Sequence, residues 1–471
     1  MTATTARTVA GWTLVPLALA QFICSFAGSN MNVMLNDMSK DLGTTVAGIQ
    51  LSITLFLLTM AALMVPFGKL TDLLGRKTCF LLGLGIYGVG AVLSALAPGL
   101  GLLILGNSIL EGAGTALLIP PVYILVTLYW KDIQGRARSF GLVSAAGGVG
   151  AATGPLIGGW ICSAISWRAA FLFQALIIVV IILFALALKD PLPADPTRPY
   201  DTVGAVLSGG GLVVFVAGIL AIDRTLWLAL LLLVVGAGII AGFFAWIRRL
   251  ERRKKEPLLS TALFRNRVSN LGLVTQNFQW LLLMGISFLV SSHLQVVRQY
   301  DAIETGVIFT AATVGILVSS LAAGRLVRLV AQRTLILTGF LVTAVGVVLL
   351  LLVGALPGGW PFVPGLLVIG LGIGVMLTPS VNVVQSAFGE DQQGEISGLS
   401  RSISNLGSSF GTAIVGTILG FGVDQRAGGY VLAMAALVIV AIAGSVVTGF
   451  LPGSRAPQHA GAGAAAPPSA A

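Results

Sequence analysis

Glu111 places an ionisable side chain inside an apolar run, "NSILEGAGTALLIPP" at 107–121. The chain has seventeen acidic residues, and the others fall in loops or near the ends of such runs. An ionised carboxylate in hydrocarbon is expensive, so an acid there is a functional candidate by default. A carboxyl group held out of water tends to keep its proton. Such a group can exchange a proton across a barrier or anchor a cationic solute; its plainer use is a hydrogen bond between helices. At helical spacing Glu111 shares a face with Asn107, Ser108 and Thr115. Other apolar runs carry similar stripes: Gln21, Ser25, Ser29 and Asn32; Gln276, Gln279 and Trp280; Asn382 and Gln385; Ser397, Arg401, Ser404 and Ser408. Converging, they would form a mostly neutral polar pocket with aromatic walls such as Trp280 and Phe278. That pocket suits an amphipathic or lipophilic solute.

The elements that must position these residues follow from composition. The chain is 56% hydrophobic and 9% charged, against about 25% charged residues in a soluble domain. A bilayer core of roughly 30 Å takes about 20 helical residues. Fourteen apolar runs meet that length: 12–36, 47–67, 79–98, 101–130, 139–164, 169–188, 203–222, 226–247, 268–293, 303–324, 334–355, 361–387, 396–420 and 429–451. Runs this long without alternation predict helices, not a barrel. With both termini cytoplasmic, all but five of the 27 basic residues fall on the inner side; the five are Lys40, Arg168, Arg224, Arg298 and Arg426. Basic inner loops are what orientation in a membrane requires, and they account for the net charge of +10 without nucleic acid. The densest basic cluster, "RRLERRKK" at 248–255, lies in one of those loops.

Other chemistries find little support. Cys24, Cys79 and Cys162 lack metal or redox spacing and read as small apolar fillers. His293 is the one histidine before the tail, near an outer helix end, and reads as an interfacial polar residue. "GLGIYG" at 83–88 spells a nucleotide-binding pattern, but inside a helical run and with no strand before it. No enzyme, metal or cofactor is expected. From Gly453 the chain becomes low-complexity and is expected to be disordered.

"GKLTDLLGRKTCFLLG" (68–83) and "GRLVRLVAQRTLILTG" (324–339) agree at six of sixteen positions. They join helices 2 and 3 and helices 10 and 11, which predicts duplicated six-helix bundles with two helices inserted between them. In the first loop, glycines permit a tight turn, and Asp72 among Lys69, Arg76 and Lys77 can make charge-assisted hydrogen bonds between helix ends. In the fifth run, Gly150, Gly154 and Gly158 recur every four residues and make a smooth face for a close, movable neighbour. Pro155 favours a kink there.

Gly68, Leu70, Asp72, Gly75, Arg76 and Lys77 resemble the loop signature of the major facilitator superfamily. Gly141, Gly150, Gly154, Pro155, Gly158 and Gly159 have the spacing of its helix-5 antiporter motif. With fourteen helices the chain resembles the drug:proton antiporter branch of that superfamily. The resemblance implies an all-α polytopic protein working by alternating access, with the 68–77 loop latching the inner ends of the halves. It also implies proton-coupled export of lipophilic or cationic small molecules. The expected division is 1–190, an N-terminal bundle; 191–260, two inserted helices and a loop; 261–452, a C-terminal bundle; and 453–471, the tail. Expected partners are a small-molecule substrate, protons and lipids, for a monomer in a bacterial plasma membrane.

The chain departs from the branch at its charged positions. Ala27 stands where the first helix carries aspartate, Ser108 where helix 4 carries arginine, and Glu111 where it carries glutamine. The helix-13 arginine is absent at Ser404, with Arg401 one turn earlier. The relocated charges point to Glu111 as proton site or cation anchor; the alternative is an uncoupled facilitator or importer on the same fold.

Overall fold

The computed structural model describes residues 3–130, 133–191, 194, 197, 199–222, 225–354, 356–388, 393–420 and 428–453. The tail beyond Gly453, Arg224 and Arg426 lie outside the described residues, as do the side chains of Asp72 and Arg325.

Fourteen long helical segments follow the fourteen apolar runs. They are α1 (Ala3–Asn30), α2 (Val46–Leu74), α3 (Arg76–Ala95), α4 (Leu100–Tyr129), α5 (Ile133–Ala164), α6 (Trp167–Leu186) and α7 (Thr202–Leu220). Then come α8 (Leu226–Arg252), α9 (Arg267–Ser292), α10 (Ala302–Leu329), α11 (Gln332–Val353), α12 (Phe362–Gln385), α13 (Gln393–Gly420) and α14 (Gly428–Gly449). Among the described residues twelve are long and apolar enough to cross a membrane. The other two long helices are α5 and α13.

Several starts are written locally. Thr45 accepts from the Gly48 N–H, Asn266 from Val268 and Ser269, and Asp301 with Glu304 forms a reciprocal capping box. The first run stops earlier than expected: α1 ends at Asn30, Met31–Val33 tightens into a 3₁₀ turn, and a short helix, Leu35–Asp41, follows. Large apolar side chains on the outward faces, such as Leu183, Val234, Leu321, Leu352 and Ile439, are exposed, as lipid contact demands.

The first six and last six helices repeat one pairing scheme. α1 packs on α5 and α6, α4 on α2 and α3, and α3 on α6; likewise α9 packs on α13 and α14, α12 on α10 and α11, and α11 on α14. The halves meet where α2 lies against α13 and α5 against α10. α7 and α8 pack on each other, and α7 leans on α2 and α13 together: Val216 shares an apolar cluster with Leu58, Ala61 and Leu406.

Contacts sort the loops into two ends. At the basic end, Lys69 of α2 reaches Glu256 (3.6 Å) and Glu395 at the start of α13 (3.9 Å). At the opposite end, the Asn32 carbonyl accepts from Ser291 (2.5 Å) and Gln295 (2.7 Å) of the second half. The halves are therefore bridged at both ends.

Candidate functional site

Glu111 is fully buried, and among the described residues it is the one buried carboxylate. Its Oε1 accepts from Ser94 of α3 (3.2 Å) and its Oε2 from Asn107 (3.4 Å). Tyr87 of α3 lies beside it and donates to Gln174 of α6 at 2.5 Å. Glycines allow this proximity. A Cβ on Gly90 would stand 2.6 Å from the Gly106 carbonyl and 2.8 Å from the Glu111 nitrogen. Every described partner of the acid is neutral.

The expected shared face holds only in part: Asn107 reaches Glu111, while Ser108 and Thr115 are turned elsewhere. Ile104–Glu111 is wound as a π-helix, so successive residues are set at a smaller angle than in an α-helix. Asn107 and Ser108 turn to α2: Asn107 accepts from Ser52 at 3.4 Å, and Ser108 donates to the Ser52 carbonyl at 2.8 Å. Thr115 faces Cys24 of α1. The four residues thus address three different helices.

A second polar chain crosses between the halves. Arg401 of α13 donates to the Tyr123 hydroxyl of α4 and lies 5.0 Å over its ring. Tyr123 in turn donates to Gln21 of α1 (3.2 Å), and Gln21 donates to Ser25 (3.3 Å). Tyr123 was not among the sequence candidates; the signal for it was a phenol just after the Pro120–Pro121 pair in an aliphatic helix. Tyr87, Gln174 and Ser52 were likewise missed.

In the second half Gln276 accepts from Ser400 and Gln279 from Ser380, each at 2.8 Å. Both amide nitrogens are buried without a partner. Trp280 and Asn382 are half-buried, and Gln385 donates to Ser397 at 3.4 Å. Ser29 stays within α1, donating to the Phe26 carbonyl at 3.2 Å, while Asn32 takes part in the far bridge through its backbone. The candidates therefore divide among α3–α4, the α4–α13 crossing, the α9–α12–α13 group and the far end. His293 is buried, its ring 4.4 Å from that of Tyr430, instead of lying at an interface.

In the 68–77 loop, Gly75 adopts φ +88°, a left-handed value that favours glycine. Asp190, following α6, accepts from the Arg76 N–H (2.6 Å) and the Lys77 N–H (3.2 Å), and Lys77 donates to the Leu186 carbonyl at 2.8 Å. Lys69 supplies the described ion pair to the second half, through Glu395, with Gly68 against Pro120 of α4.

The smooth face of α5 has a different neighbour from the one its motion would need. A Cβ at Gly150 or Gly154 would collide with α1, at the Phe22 carbonyl and at Ser29, and one at Gly158 would stand 2.9 Å from the Asn30 Cβ. The face toward the second half is that of Pro155 and Gly159, against Gly306 and Ala302 of α10. Gly141 begins the motif nearer the basic end.

Two repeated six-helix halves, polar groups between them and an outward apolar surface define a membrane carrier. A sequence profile of the Major Facilitator Superfamily matches residues 17–205 and 202–412, and the chain belongs to that family. It is 29% identical to the puromycin resistance protein pur8 of Streptomyces alboniger, over 86% of this chain and 81% of that one. It is 30% identical to the probable actinorhodin transporter of Streptomyces coelicolor, over 83% and 69%. It is also 29% identical to the cephamycin export protein CmcT of Amycolatopsis lactamdurans, over 96% and 94%. Among solved structures, the human organic anion transporter MFSD10 matches with a TM-score of 0.62 at 16% identity, covering 93% of this chain and 98% of that chain. At that identity the likeness concerns the fold.

Proposed function

We propose that this protein exports amphipathic small molecules from a bacterial cell in exchange for protons. It acts as a monomer in the plasma membrane with both termini cytoplasmic. Relatives named for antibiotic resistance and export support the direction of transport, and the basic inner loops support the orientation. The halves, 1–190 and 261–452, rock about the α2–α13 and α5–α10 seams, with the 191–260 pair attached to one of them.

The observation that carries proton coupling is Glu111, a fully buried carboxylate whose described partners are hydroxyl and amide groups. A carboxyl in such surroundings can alternate between neutral and charged as its environment changes between states. Its partners lie on α3 and α4, so its protonation acts on helix packing inside the first half and not by touching the cargo.

The test is reconstitution in liposomes with a proton-sensitive dye inside. Wild type should move substrate and protons in opposite directions under an imposed pH gradient. Glu111→Gln should still bind substrate but lose gradient-driven movement. Retention of that movement would remove Glu111 from the mechanism and leave it an interhelical hydrogen-bond acceptor. Substrate movement without any proton flux in wild type would favour the uncoupled facilitator, a reading kept open by Ala27 and Ser108.

A further inference from the structure

Arg401 is a cation between the halves whose described partners carry no negative charge. Its guanidinium is half-buried and meets the Tyr123 hydroxyl and ring. Among the described residues no carboxylate is paired with it. The buried acid Glu111 lies on the same helix as Tyr123 but is turned to α3, where Ser94 holds it. A charge withdrawn from water needs a counter-charge or an unusually complete set of hydrogen bonds. A phenol oxygen and a ring face supply neither in full.

The surroundings have the same bias. Asn405 follows Arg401 by one helical turn, and its Nδ2 is buried without a partner. Ser400, next to Arg401 in the chain, holds the Gln276 carbonyl oxygen, and the Gln276 Nε2 is buried without a partner. The register of α13 explains the grouping. Ser402 and Ser409 donate to α2 carbonyls, those of Ala61 and Thr54, and Gly407 and Gly411 lie against α9. Arg401 and Asn405 lie between these two faces, toward the first half. Arg401 and Asn405 therefore present a guanidinium and an unpartnered amide NH₂, and Gln276, held by the neighbouring Ser400 on the α9 side, adds a second unpartnered NH₂. An unpartnered buried donor is costly until an acceptor arrives, and a guanidinium binds oxyanions in a forked geometry that suits carboxylate.

We propose that this patch binds an anionic oxygen group, a carboxylate or an ionised phenol, on the molecule carried, with Arg401 as its counter-charge. The inference rests on the export reading and narrows its cargo: a cationic solute would meet like charge and surplus donors here. Tyr123 connects Arg401 to Gln21, so the ligand's charge is read at the crossing between α13, α4 and α1. Occupancy competes with the Arg401–Tyr123 contact that ties the halves together.

The test uses two dyes on one xanthene frame, anionic fluorescein and cationic rhodamine 123. Binding to the purified full chain in detergent is read by fluorescence polarisation at neutral pH. The expected result is tighter binding of fluorescein than of rhodamine 123. Arg401→Gln should weaken fluorescein at least about tenfold while leaving rhodamine 123 unchanged or tighter, and Arg401→Lys should restore part of the loss. Unfolding midpoints of the variants check that the bundle is intact. Equal or weaker binding of fluorescein by wild type, binding of neither dye, or equal loss of both dyes in Arg401→Gln would each overturn the proposal. Gradient-driven rhodamine 123 efflux in liposomes, with fluorescein unbound, would leave export standing and sink this inference alone.

Discussion

Ser94 on α3 donates a hydrogen bond to Glu111 at 3.2 Å, which turns the buried acid away from the seam between the halves. The Arg401–Tyr123 crossing lies on that seam. On the readings proposed above, proton chemistry and cargo recognition fall on different sides of α4, and any coupling between them must pass through its packing.

The Ser94–Glu111 contact should be measurable as a coupling. Ser94→Ala and Glu111→Gln should each lower the unfolding free energy by about 1–2 kcal/mol, as for loss of a buried hydrogen bond. The double variant should lose less than the sum, since the sites touch. Strict additivity in thermal or denaturant unfolding would mean that the contact contributes nothing.

The α5 glycines should separate stability from motion. Gly154→Val drives a side chain into α1 at Ser29 and should destabilise by about 1–3 kcal/mol, the usual cost of overpacking. Gly159→Val obstructs Ala302 of α10. It should cut transport more than it lowers the melting point, because that contact joins the halves. The reverse ranking would place the moving surface on the α1 side after all.

Lys69 should act on state more than on stability. It is paired at long range with the more exposed acids Glu395 (3.9 Å) and Glu256 (3.6 Å), and pairs open to water usually contribute under about 1 kcal/mol. Lys69→Ala should leave the melting point nearly unchanged, yet raise maleimide labelling of a cysteine placed at Ser397. Lys69→Glu with Glu395→Lys should reverse the gain. Unchanged labelling would show that the pair does not hold that end shut.

Topology can be read without removing native cysteines. Cys24, Cys79 and Cys162 form no disulfide and are buried, so a membrane-impermeant maleimide should leave intact wild type unlabelled. Single cysteines at Thr2 and Ser469 should both react in inside-out vesicles and neither in right-side-out ones. A split result would place the termini on opposite sides.

Helix number and order were legible because apolar length is a strong, local signal. The pairing of 68–83 with 324–339 was legible for the same reason, and the two halves repeat one set of neighbours. Facing was harder to read. Asn107 does reach Glu111, but Ser108 shares that face only at 3.6 residues per turn, and nothing in "ILGNSILE" announces that this stretch winds more loosely. Gly150, Gly154 and Gly158 did announce a close neighbour, but spacing cannot tell α1 from α10. Tyr123 escaped notice because a single phenol in an aliphatic helix gains meaning only from Arg401, 278 residues away.

The added helix α7 rests on α2 and α13 at once, through Val216 with Leu58, Ala61 and Leu406, and Phe215 with Phe410 at 6.2 Å. A rod laid across a joint also closes it from the side. At the α5–α10 joint, by contrast, the halves meet directly, Pro155 and Gly159 lying against Gly306 and Ala302. A molecule arriving sideways at the α2–α13 joint would have to displace α7 first.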